Sequence, residues 1–410
     1  MDQLQPVRSE REASSSEWVG AWYAAPMRMQ PAHLTGRTLY QVVYLHAGGR
    51  QIRLRLSNRY GEHPLTLSEV FVGNPTVGLP LREGAAHPVL FHGREAITIE
   101  TGAEVVSDPV HLEVEAFSNL AISFVVREGD ILTGHFRAIQ TSYVSIPGAG
   151  NALREIEKYL PNDPKLSTSW WPTTLAERLP TYPLLTTSWW ALSGIEVKPT
   201  KPLNVLVALG DSTTDGFGST LDANRRYPDV LAHRLATADQ ARMMSVLNAG
   251  ISWNELVTTR APASGEATVQ RFAWDVLEQA AVTDVIVQIG INDLQHDTQA
   301  DAIITGLQQL ATLAREHHLR IFGSTILPGT YTPEQAVQWR VANRWLREEG
   351  RRWFDAVFDF ASVLRHPEDE TRLDPSYDCG DGVHPNDAGY QRMAEVVDLP
   401  QLTGSPTLSF

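Results

Sequence analysis

Residues Val205-Leu206-Val207-Ala208-Leu209 form an unbroken apolar run that ends at Gly210-Asp211-Ser212. This junction constrains the fold more than any other stretch. Such a run, bounded by a turn, is a buried strand. In an open α/β sheet, ligand sites form outside the carboxyl ends of the strands, where Ser212 stands. The chain beyond keeps the same rhythm. Residues 245–248, 284–290, 321–327 and 356–360 are strand-like, while 267–280 and 302–318 carry apolar residues at helical spacing. Thr332-Pro333-Glu334-Gln335 has the spacing of a capping box with proline at the first helical position. Strands alternating with helices give a parallel sheet with right-handed crossovers.

The N-terminal half has a different pattern. Residues 51–57 alternate polar and apolar, 39–45 are rich in β-formers and run towards Gly48-Gly49, and 96–100, 110–114 and 120–126 are further strands. Gly48-Gly49 is expected to make a hairpin turn. Many short strands with no strong helical period predict an antiparallel sandwich. Trp189-Trp190 should open a strand through 197 as core residues. Residues 151–160 suit a short helix, and Trp170-Trp171 a surface role. With 410 residues, two domains are expected. We place a disordered tail at 1–16, an accessory β-domain at 17–197, a linker at 198–202 and an α/β domain at 203–400.

Charge and cysteine content narrow the partners. A formal net charge of -14 disfavours nucleic acid, which needs a basic face, and docking on anionic lipid. No apolar run is long enough to span a membrane. The single cysteine, Cys379, excludes an intrachain disulfide and reads as a buried or bystander thiol. The polar N-terminus has no signal segment, so a cytoplasmic address is expected, or secretion if the natural start lies upstream.

Three residues of catalytic type lie at strand ends or near the C-terminus: Ser212, Asn292 and His384. Parallel strands point the same way, so Ser212, Gly250 and Asn292 should converge at one edge. Asp381 precedes His384 by three residues. That spacing lets its carboxylate reach Nδ1 while Nε2 faces the serine. No His/Cys/carboxylate cluster has metal-ligand spacing, and no metal or other cofactor is expected.

Four blocks in this order carry a resemblance: Gly210-Asp211-Ser212-Thr213-Thr214-Asp215-Gly216, Asn248-Ala249-Gly250, Gly290-Ile291-Asn292-Asp293 and Asp381-Gly382-Val383-His384-Pro385. The chain resembles the SGNH hydrolases, also called GDSL-type lipases or acylhydrolases, over residues from about 203 to 398. Trp18-Val19-Gly20-Ala21-Trp22 and Arg55-Leu56-Ser57-Asn58-Arg59-Tyr60-Gly61 resemble the β-domain of one subgroup. The resemblance implies a flavodoxin-like three-layer α/β/α domain preceded by a jelly-roll-like all-β domain. The Gly-x-Ser-x-Gly elbow of the α/β-hydrolases is missing.

It also implies a serine esterase. Ser212 would be the nucleophile, His384 its base and Asp381 the group that fixes the imidazole. The oxyanion donors would be the backbone N–H of Ser212 and of Gly250 and the side-chain amide of Asn292. Trp253, in Ile251-Ser252-Trp253-Asn254, either lines the pocket or packs on the β-domain or the following helix. The expected substrate is a short-chain or acetyl ester, small-molecule or carbohydrate. The alternatives are a lipase or lysophospholipase, and an inactive carbohydrate-binding protein. Oligomeric state is left open.

Overall fold

A computed structural model describes residues 17–75, 86–145, 147–148, 184–238, 244–260 and 264–402. The expectations for 1–16, for the helix at 151–160 and for Trp170-Trp171 lie outside the described residues.

The N-terminal part is built of antiparallel sheets, as its alternating pattern predicts. Val19–Tyr23, Leu192–Val197, Ile52–Ser57 and Glu104–Val106 form one, in that order. Trp189–Trp190, Ile131–His135 and Met27–Ala32 form a second. The largest is centred on Thr38–Leu45, Ser118–Glu128 and Leu65–Gly73. In Ile52–Ser57 the alternation is literal: Ile52, Leu54 and Leu56 are fully buried. Arg53 and Arg55 point the other way, and both pair with the buried Glu196.

Three local expectations fail for non-local reasons. Gly48-Gly49 does not close a hairpin, because Thr38–Leu45 and Ile52–Ser57 belong to different sheets and the chain crosses between them there. Residues 110–114 form no strand; they make isolated bridges from Val110 to Ile52 and from Val114 to Gly49. The run from Trp189 to Val197 is broken at Ala191, whose left-handed φ of 54° sends its two parts into different sheets.

The C-terminal part has five parallel strands: β1 (Asn204–Gly210), β2 (Met244–Gly250), β3 (Val282–Gln288), β4 (Arg320–Ser324) and β5 (Ala356–Phe358). Their order is β2-β1-β3-β4-β5, the doubly wound arrangement whose crevice opens where the winding reverses, beside β1. Alternate residues feed two cores. Leu206, Ala208 and Ile286 pack with helices Tyr227–Ala238 and Asp387–Val396. Val205, Val207 and Leu209 pack with Ala300–Glu316 and Pro333–Glu348. Three layers result. Thr332 and Gln335 form the predicted capping box. The predicted helix 267–280 is shorter: an α-helix over Thr268–Phe272 runs into a π-turn over Ala273–Leu277. Among the described residues, no helix is long and apolar enough to cross a membrane.

The two parts share one core, in which Val19, Ala21, Leu54 and Ile195 join Leu247, Ala249 and Phe272. A Cβ on Gly20 would lie 2.7 Å from Leu247 Cδ1. Tyr23 Oη donates to Asp275 Oδ1 at 2.6 Å, and Gly20 N–H donates to Ala280 O at 3.2 Å. A fragment starting at residue 203 would expose Leu247 and strip Asp275 of its hydrogen bond from Tyr23. It is expected to be poorly soluble or less active than the whole chain. Size-exclusion chromatography with an ester assay tests this; a monodisperse, fully active fragment would show that the β-domain is only tethered.

Candidate active site

β1 ends at Gly210, and Asp211 caps a single helical turn over Ser212–Asp215 by accepting from Thr213 N–H. Ser212 thus stands at the start of a helix on the carboxyl edge of the sheet. Its Oγ lies 2.7 Å from His384 Nε2. His384 comes from the loop before helix Asp387–Val396. Its Nδ1 lies 2.7 Å from Asp381 Oδ2, while Asp381 Oδ1 accepts from the N–H of His384 and of Val383 at 2.8 and 2.9 Å. A carboxylate facing Nδ1 keeps the proton on that nitrogen, so Nε2 presents its lone pair to the serine hydroxyl. Partial burial pushes the Asp381 carboxyl up, but the hydrogen bond and charge of His384 outweigh it and hold it well below the usual range.

The opposite wall differs from expectation. Gly250 is brought to Ser212, but its N–H donates to Asn248 Oδ1 at 2.9 Å and is therefore not a free oxyanion donor. Glycine is required there for space: a Cβ would lie 2.1 Å from Asp215 N. Asn248 also donates to Thr214 O at 2.7 Å, tying β2 to the nucleophile turn. Asn292 is buried, and its Nδ2 donates one hydrogen to Asn254 O at 2.9 Å. The amide's second hydrogen remains. Trp253 has a left-handed φ of 63° and is 47 % exposed. Its N–H has no hydrogen-bond partner among the described residues. A non-glycine residue held at positive φ is strained, by about 1–3 kcal/mol, and such strain collects at functional sites.

Residues to which the sequence assigned no role hold this wall in place. Asp215 Oδ2 accepts from Ser252 N–H and Oγ–H at 3.0 and 2.7 Å. Its Oδ1 faces His135 Nε2 of the β-domain at 2.8 Å. His135 Nδ1 faces Ala25 O at 3.0 Å. Both ring nitrogens therefore meet acceptors, which favours the imidazolium. Burial opposes that charge, but Asp215 and the Ala25 carbonyl outweigh it and raise the pKa. Arg271, also buried, donates to Gly210 O and Ala249 O at 2.8 Å each, joining the ends of β1 and β2. A cavity of about 20 Å³ lies behind Asp215, lined by Trp22, His46, His135 and Arg226 among others. It has room for water and none for an ester.

Burial pushes the carboxyl of Asp211 up to about 7, against the Thr213 amide that lowers it; the charge of Asp293 adds to the rise. The folded state then keeps a proton that an unfolded aspartic acid releases near about 4. Stability from this group is greatest below about 4 and declines as pH rises to about 7. Asp211→Asn, which keeps a side-chain acceptor for Thr213 N–H, is expected to flatten the fall in melting temperature between pH 5 and 8. Thermal scans across that range check it, and an unchanged slope would remove Asp211 as the source.

Among the described residues, Asp378, Cys379 and Asp381 have donor atoms close enough to share a cation. Both carboxylates are already engaged. Asp381 binds His384, and Asp378 Oδ1 accepts from Gly380 N–H at 2.7 Å. Burial, with the Asp381 and Asp378 charges, pushes the Cys379 thiol up to about 11.

A serine, a histidine and an aspartate lie hydrogen-bonded in series at the carboxyl edge of a doubly wound parallel sheet, an arrangement able to carry out serine-type hydrolysis. Residues 208–392 match the GDSL-like Lipase/Acylhydrolase family. Those residues are a GDSL-like lipase/acylhydrolase domain, of the SGNH hydrolase superfamily of carboxylic ester hydrolases. Solved structures similar to it include a GDSL-like lipase from Bacteroides thetaiotaomicron, 19% identical, covering 49% of this chain and 89% of that one at a TM-score of 0.37. Others are the M. Smegmatis aryl esterase, 15% identical, and a carbohydrate acetylesterase from Sinorhizobium meliloti, 12% identical. Each of these covers 49% of this chain and 99% of its own at a TM-score of 0.39. No curated protein matches the chain.

Proposed function

We infer that the protein cleaves short-chain esters through an acyl-enzyme on Ser212. The observation that carries this reading is the pair of 2.7 Å contacts from Ser212 Oγ through His384 to Asp381. A serine hydroxyl is a weak nucleophile until a base takes its proton. His384 Nε2 is in reach to do so as Oγ attacks the ester carbonyl. It then returns that proton to the leaving alcohol, and repeats the cycle with water. Asp381 holds the imidazole in the productive tautomer and balances its charge.

The tetrahedral oxyanion needs donors aimed in advance. We assign them to the N–H of Ser212, the second hydrogen of Asn292 Nδ2 and the N–H of Trp253. Trp253 replaces Gly250 in that role because the Gly250 N–H is taken by Asn248. The favoured natural substrates are acetyl or other short esters on carbohydrate. The half-exposed Trp253 ring supports this, since an aromatic face can stack on a sugar.

Two measurements test the reading. A 4-nitrophenyl phosphonate should give one covalent adduct, which peptide mass spectrometry maps to Ser212; an adduct elsewhere would overturn the nucleophile. A series of 4-nitrophenyl esters should show kcat/KM falling from acetate to octanoate, and a rise with chain length would favour a lipase. Asn292→Ala is expected to lower kcat by about 10²–10³ with a smaller change in KM, as for loss of one oxyanion donor. A change confined to KM would make Asn292 a binding residue instead.

A further inference from the structure

Arg137 belongs to the β-domain, two residues beyond the His135 that grips Asp215. That anchor delivers its side chain to the mouth of the site. The guanidinium carbon lies 4.3 Å from the ring centre of Phe217 and 4.4 Å from that of Trp253. Phe217 in turn lies 4.2 Å, ring to ring, from His384. The cation therefore lies over two aromatic rings, with the Phe136 ring centre a further 5.6 Å away, and it is one ring away from the imidazole that faces Ser212. Trp253 is also the residue whose N–H we place at the oxyanion.

Three other interior arginines have carboxylate partners. Arg55 pairs with Glu196, Arg226 with Asp229 and Arg271 with Asp275. Arg137 has no hydrogen bond or ion pair among the described residues, and its Nε is buried without an acceptor. Burial lowers its pKa, with only the charge of Asp215 opposing. Stacking on rings stabilises the cation and holds its plane, yet leaves the N–H edge unused. A guanidinium so placed offers a carboxylate, sulfate or phosphate a two-pronged, charge-assisted contact. The setting makes it selective. On a chain of net charge -14, an unpaired cation beside the nucleophile is a local exception to a field that repels anions.

We propose that Arg137 binds an anionic group carried by the substrate, so that the natural ester bears a carboxylate, sulfate or phosphate close to the scissile carbonyl. The β-domain then contributes specificity directly, by lending a side chain to the site of the other domain. The proposal rests on the reading of Ser212 as nucleophile.

The test compares matched neutral and anionic esters on the full-length protein. In the acyl arm, 4-nitrophenyl valerate is paired with the 4-nitrophenyl monoester of glutaric acid, where a carboxylate replaces the terminal methyl. In the alcohol arm, 4-acetoxybenzamide is paired with 4-acetoxybenzoate. The readout is the anionic-to-neutral ratio of kcat/KM, which cancels losses of folded protein. Arg137→Gln is expected to lower that ratio by about 10-fold or more in one arm, mainly through KM. The arm that responds says which side of the ester carries the charge. Arg137→Lys keeps the cation without the fork and should lower the ratio less; it carries the test if the Gln protein does not fold. A ratio unmoved in both arms, or equal losses on neutral and anionic esters, overturns the proposal and makes Arg137 a packing residue. If neutral esters are still cleaved and Ser212→Ala abolishes that cleavage, the ester hydrolase reading survives such a failure. If Ser212→Ala changes nothing, that reading fails with it.

Discussion

Replacing Ser212 by alanine is expected to lower kcat on 4-nitrophenyl acetate by about 10⁵–10⁶, the loss seen when the nucleophile of a hydrogen-bonded unit is removed. The fold should persist, because Ser212 bonds through Oγ only to His384 among the described residues. His384→Ala should cost a similar factor. The double variant should cost little more than either single one, since neither group works without the other. Steady-state kinetics on the three proteins, with melting temperatures alongside, read this out. Multiplicative losses would show that Ser212 and His384 act separately. Substantial activity in Ser212→Ala would remove it as nucleophile.

His135→Ala is expected to cost about 3–5 kcal/mol of stability, the penalty for stripping one partner from a buried ion pair. His135 and Asp215 are both nearly inaccessible to water. In the variant, Asp215 would keep its bonds from Ser252 and face an empty place where the imidazolium stood. A fall in melting temperature on the order of 10 °C follows for a domain of this size. The catalytic rate should fall too, because Asp215 holds Ser252 and so the loop that carries Trp253. The raised folded-state pKa of His135 gives the pH dependence a definite sign. The imidazolium contributes fully below the unfolded value of about 6.5, and the contribution is lost as pH rises through the folded value. The wild type should therefore lose stability on the alkaline side, and His135→Ala should lose less. Calorimetry from pH 6 to 9 checks both points; parallel curves for the two proteins would count against a charged His135.

Much of the active edge was legible in the chain. An apolar run ending in Gly-Asp-Ser places a serine at the sheet's carboxyl edge because buried parallel strands share that edge. Asp381 and His384 could be paired because three residues of loop leave a carboxylate few places to go. Helices 300–316 and 333–348 were readable from their apolar faces and caps. What these share is locality: period, cap and short spacing are properties of neighbouring residues.

The remainder was settled by partners far away in the chain. Gly250 looked like an oxyanion donor, and only the folded backbone shows its N–H turned to Asn248. Thr38–Leu45 and Ile52–Ser57 were correct as strands and wrong as a hairpin, because alternation says which face is buried and not which strand lies alongside. His135 and Arg137 sit in an unremarkable stretch of β-domain. Their proximity to Ser212 arises from packing between two halves that share a core, and no pattern of period two or 3.6 encodes the distance between residues on different sheets. The chain by itself thus determined which elements form and which residues could do chemistry. Tertiary structure decided where each N–H and each charge finds its partner, because those contacts join segments that local propensity leaves independent.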